Sequence, residues 1–125
     1  MTPDAEGLPG RRAITGVIVL PPGTALPPEA SLVVRLENIS RADVPSETVG
    51  EDRKSGGEVM GATEIPFRIE VPVDQLDDRN VYSVSAHVDL TGSGEVELGD
   101  FVSTQSYPVI TRGRPTNVRV SVRRV

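Results

Sequence analysis

Val81-Tyr82-Ser83-Val84-Ser85-Ala86-His87-Val88-Asp89-Leu90 decides the fold class, because its side chains sort at a period of two. Tyr82, Val84, Ala86 and Val88 have one parity; Ser83, Ser85, His87 and Asp89 have the other. Successive side chains of a strand point to opposite faces, so the alternation predicts a strand with an apolar face on a core and a polar face toward water. Further strands are expected around it.

Downstream, Thr91-Gly92-Ser93-Gly94 reads as a hairpin loop, and Glu95 to Gln105 as the returning strand. Its pattern slips, because Val96 and Leu98 differ in parity from Phe101; a bulge at Gly99-Asp100 would bring all three to the core. Asn117 to Arg124 closes the chain with Val118, Val120 and Val122 on one face. Upstream, Glu64 to Val71 alternates through Ile65, Phe67, Ile69 and Val71, while Pro66 removes an amide and points to a sheet edge or the start of a strand. Between Pro72 and Asn80, Asp74 is placed to cap a short helical turn, with Asp77 three residues on.

Ser31 to Ile39 is a strand with Leu32, Val34 and Leu36 inward. Ile14 to Leu20 is the first strand, and its apolar run from Val17 predicts cover on both sides. Glu47 to Glu64, with Glu51, Asp52, Arg53, Lys54 and Gly56-Gly57, predicts no more than a short edge strand near Thr48 and a mobile loop. The expected fold is all-β, a single antiparallel β-sandwich of about seven strands. It spans residues 14–125, behind a poorly ordered polar segment, residues 1–13.

A chain of 125 residues fits one domain, burying roughly two-thirds of its unfolded surface. The 125 residues contain no cysteine, so no disulfide, thiolate metal site, cysteine nucleophile or lipidated cysteine is expected within them. The leading residues carry no apolar run that would make a signal peptide or membrane segment. The sequence as written therefore reads as cytoplasmic, or as an envelope protein whose targeting segment has been removed. Net charge is −10 up to residue 100 and +5 beyond it. Overall acidity with 3% aromatic residues speaks against nucleic acid as partner, which asks for a basic surface interleaved with stacking rings.

Ser83, Ser85, His87 and Asp89 on one face are the residue types of a nucleophile, base and orienter. Residues two apart on a strand lie about 6.5–7 Å from each other, so the side chains do not converge for proton transfer. His87 is the only histidine, and the expectation is a solvated face and no enzyme. Asp74, Asp77 and Asp78 lack the spaced ligands and turn glycine of a calcium loop, and no cofactor is expected. Tyr82 and Tyr107 are expected at core or corner positions with bonded hydroxyls.

The remaining candidates are basic. Arg119 and Arg123 fall on the non-core face of the closing strand, and Arg112 and Arg114 lie in the turn before it. Fixed guanidiniums suit carboxylates of a partner chain; the alternative is pairing within the sheet to Glu37, Glu70 or Asp89.

Tyr107-Pro108-Val109-Ile110-Thr111-Arg112-Gly113 followed by Pro115-Thr116-Asn117-Val118 resembles the YPVLTRG-NP ending of the YbaY family of bacterial lipoproteins, which is grouped with YscW, the type III secretion lipoprotein chaperone or pilotin. Leu26-Pro27-Pro28, Val34-Arg35-Leu36-Glu37 with Ser40-Arg41-Ala42-Asp43, Ile65-Pro66-Phe67 and Tyr82-Ser83-Val84 match in the same order. The resemblance implies a small β-sandwich without enzymatic activity, an accessory or chaperone-like protein binding an envelope or secretion protein. In one branch such a lipoprotein escorts an outer-membrane secretin subunit. The other reading is a structural or adhesive module, transthyretin-like or immunoglobulin-like, without a dedicated ligand.

Overall fold

The computed structural model describes residues 10–41 and 43–125. The described residues form eight strands: β1 (Arg11–Val19), β2 (Ser31–Asn38), β3 (Glu47–Ser55), β4 (Glu64–Pro72), β5 (Tyr82–Asp89), β6 (Phe101–Ser103), β7 (Pro108–Val109) and β8 (Asn117–Arg124). The hydrogen-bonded order is β3-β2-β5-β6-β8-β1-β4, with β7 on β5. The strand read first in the sequence is thus the middle of one layer.

All-β architecture is as expected, but two details of the sandwich differ. The layers are not separate sheets, because β6 pairs with both β5 and β8 and joins them. The terminal strands β3 and β4 also approach each other: the Arg68 amide donates to Asp52 Oδ2 at 2.9 Å, and a Cβ on Gly50 would lie 2.8 Å from Ile69 Cγ2. The result is a nearly closed, barrel-like sheet. Nor is it wholly antiparallel. β8 runs antiparallel to β6 and then lies parallel to β1, from Thr15↔Asn117 to Val19↔Ser121.

The core has the parities that the sequence sets. Leu32, Val34 and Leu36 of β2, Val84 and Val88 of β5, Ile14 and Ile18 of β1, Ile65, Ile69 and Val71 of β4 and Val120 of β8 are all buried. At about 25 cal/mol per Å2 of apolar surface, burial of such side chains is the main stabilising term. β1 starts at Arg11, ahead of the expected Ile14, because its pairing with β4 extends to Arg11↔Pro72; residues 1–9 of the segment expected to be poorly ordered lie outside the described residues. Val17 and Val19 are only half-buried, so β1 is covered on one face only, and its outer neighbours on β8 are Arg119 and Ser121.

Pro66 sits where expected, on an edge. The Arg68 amide points away from β1, to Asp52, so the amides of the same parity face outward, and at Pro66 and Pro72 there are none. That blunts β4 against pairing with a foreign strand. Glu47 to Ser55, expected to be mostly loop, is a nine-residue strand. Its charges pair along it, Arg53 with Glu51 at 2.9 Å and Lys54 with Asp52 at 3.5 Å.

Candidate functional site

The polar face of β5 is not solvated. Ser83, His87 and Asp89 are buried and only Ser85 is half-exposed. The cause is the segment after β5, which folds back rather than forming a long strand: Glu95 to Asp100 is irregular with a turn at Leu98-Gly99, and only Phe101–Ser103 pairs. No bulge brings Val96 and Leu98 inward; they are 56% and 91% exposed. Asp89 organises the turn by accepting the amides of Thr91, Gly92 and Gly94 at 3.0, 2.9 and 2.8 Å. Asp100 accepts Leu90 N, Glu97 N and His87 Nε2, the last at 2.9 Å. An ionised carboxylate only accepts, so Nε2 is the donor in this contact. Ser83 Oγ accepts the Tyr107 amide.

Ser83 and Asp89 therefore hold different pieces of backbone, His87 bonds the Asp100 carboxylate, and none of these bonds joins one member of the apparent catalytic set to another. Burial pushes the Asp89 and Asp100 carboxyls up, but the bonds from Gly94, Thr91 and Gly92 to the first, and from His87, Leu90 and Glu97 to the second, outweigh it and leave both below the ordinary value. The His87–Asp100 pair went unread in the sequence because thirteen residues and an irregular turn separate its members.

Both tyrosines are bonded as expected. Tyr82 is buried and its hydroxyl accepts the Asp77 amide; the Tyr107 hydroxyl accepts the Ser121 amide. Asp74 caps nothing: the short turn Val73–Gln75 has no side-chain cap. Asp77 is held down to about 2 by the side-chain hydrogen bond from Arg79. Among the described residues no three carboxylates or imidazoles converge to hold a metal ion.

The four candidate arginines do not form one row. Arg112 lies at the β5 entry end, where Nη2 donates to the Arg79 carbonyl at 3.2 Å. Arg114 is half-buried, with Nη1 buried and without a hydrogen-bond partner among the described residues. Arg119 is exposed and pairs at 2.9 Å with Glu64, not with Glu37, Glu70 or Asp89. Arg123 is exposed and has no ion pair among the described residues. It borders a shallow cleft of about 280 Å3 lined by Val19, Leu20, Pro21 and Pro22. Pro21 and Pro22 also wall a second cleft of about 290 Å3 that ends on Phe101 and Arg124, whose guanidinium stands 5.7 Å from the Phe101 ring centre.

Arg123, Arg124 and the exposed Leu98 therefore gather at one end of the barrel. Val125 is fixed there by its amide on the Asp100 carbonyl and its own carbonyl on the Gly99 amide. The fold is a small barrel with no catalytic constellation among the described residues, and its unused chemistry is on its surface.

The profile of the family described as "Type III secretion system lipoprotein chaperone (YscW)" matches residues 10–122. The chain belongs to the YscW family. In fold, this YscW-family chain is similar to the solved structure of an alternative pilotin from the type II secretion system of Vibrio cholerae. The TM-score is 0.78 at 24% identity, over 92% of this chain and 97% of that one. At that identity the likeness speaks for the fold alone. No curated protein matches the chain. No helix among the described residues is long and apolar enough to cross a membrane.

Proposed function

We propose that the chain is a non-enzymatic, chaperone-like accessory protein of the bacterial envelope that binds a secretion protein, specifically an outer-membrane secretin subunit. The YscW match over residues 10–122 carries the reading. Physical support comes from the end of the barrel at the close of β8. Arg119 and Arg123 lie on its exposed face, apolar clefts flank the Pro21-Pro22 turn, and Leu98 projects from a turn held by two buried carboxylates. Of the four arginines considered, Arg119 and Arg123 are the contacts proposed for partner carboxylates; Arg112 and Arg114, in the turn before β8, lie toward the other end of the barrel and are not part of this contact.

The test is co-purification of the secretin subunit from the same bacterium with the tagged chain and with its R119E/R123E variant. Wild type is expected to retain the subunit in a salt-sensitive manner and the variant to lose it. The variant forfeits one exposed ion pair, worth under about 1 kcal/mol, so its Tm is expected to fall by no more than about 4–8 °C. A variant that loses stability yet retains the subunit makes the arginines structural, and a wild type that never retains it overturns the proposed partner.

A further inference from the structure

A larger concavity than the two Pro21-Pro22 clefts lies at the opposite end of the barrel. It is a groove of about 670 Å3 between the start of β3, the segment after β4 and the turn after β7. Its floor continues the core: Tyr82 and Ile110 are buried, and Val49 and Leu76 pack on the core while half-buried. Val73 stands on the lip, 46% exposed. Four carboxylates line it, Glu47, Asp74, Asp77 and Asp78, against one base, Arg12. Asp77 is satisfied by Arg79, whereas Glu47, Asp74 and Asp78 have no ion pair among the described residues. Glu47 also lines an adjoining cleft that contains Arg41, so the acids of the groove with no base lining their side are Asp74 and Asp78.

We propose that this groove takes a basic, amphipathic segment of another protein, with an apolar side chain against Val73, Leu76 and Val49 and Lys or Arg against Asp74 and Asp78. The inference goes beyond the function proposed above, since it concerns the opposite end and the opposite charge. The exposed apolar surface of the lining is small, so the rim of one sign carries most of the selection for a partner of the other, with Val73 and Leu76 adding apolar contact. The chain's own residues 1–9 do not suit the groove, because they contain Asp4 and Glu6 and no Lys or Arg. A metal ion does not suit it either, because the carboxylates do not converge.

The probes are a short fluorescent peptide with lysines flanking leucines and its counterpart with glutamate for lysine. The basic peptide is expected to bind, more weakly as salt rises, and the acidic one not to bind. Removing three rim charges (E47Q/D74N/D78N) is expected to weaken binding about tenfold, while E29Q/E95Q at the far end leaves it unchanged. On titration, the amide shifts are expected to move at residues 73–80. Equal binding of both peptides, no binding of either, equal loss in the control variant, or shifts confined to β8 would each overturn the proposal. So would sedimentation showing that a second copy of the chain occupies the groove. The peptide comparison and the shift map use the wild type, so they stand even if the triple variant folds poorly. No secretin subunit is present, so failure here is separate from failure of the proposed function.

Discussion

At the scale of the residue, Asp89 and Asp100 are the most consequential positions outside the core. Each is almost fully buried and accepts backbone amides of the turn that carries Leu98. Both have folded pKa values below the ordinary 3.8. A group with a depressed folded pKa contributes stability that is fully present above its unfolded value and is lost as pH falls through the folded one. Urea unfolding is therefore expected to give a flat stability between about pH 5 and 7 and a decline below about pH 4. Asp89→Ala leaves buried amides without an acceptor and is expected to cost about 1–3 kcal/mol at pH 7, with a shallower acid decline. An unchanged acid decline would show that the turn does not rest on this carboxylate. The parity of Asp89 and His87 was legible in the sequence, but their burial was not. What covers them is an irregular turn, and irregular turns have no period to read.

At the scale of the element, the parallel pairing of β1 and β8 turns on Gly16. A Cβ there would lie 1.9 Å from the Val118 carbonyl oxygen and 2.8 Å from Phe67 Cε2. Gly16→Ala is expected to destabilise by about 3 kcal/mol or more, since backbone cannot move aside as a side chain can. Urea unfolding checks this, and a cost below about 1 kcal/mol would mean that the strands separate cheaply. The β4 edge gives a different expectation. Pro66→Val restores an outward amide, and sedimentation is expected to show self-association absent from the wild type; a monomeric variant would mean that β3 alone guards the edge. Strands with one face on the core, β2, β4, β5 and β8, were legible from alternation. β3 was not, because Val49 is its single large apolar residue and its charges satisfy one another along the strand, which in sequence looks like a loop.

At the scale of the whole molecule, the near-closed barrel separates two chemistries. Strand parity placed Arg119 and Arg123 outward correctly, but strand order was beyond it. Arg119 meets Glu64 because β1 lies between β8 and β4, with Val17 beside Arg119 and Val19 beside Glu64. For the same reason the acid-lined groove, built from segments distant in sequence, had no sequence signal beyond the Asp74, Asp77 and Asp78 cluster. The most direct test of the central claim is hydrogen–deuterium exchange of the chain, free and in complex with the secretin subunit. Slower exchange is expected at residues 20–25 and 96–103 and along β8 to Val125, with the segment 73–80 unchanged. Protection confined to 73–80, or an exchange pattern identical with and without the subunit, would contradict the claim that this end of the barrel receives the secretion partner.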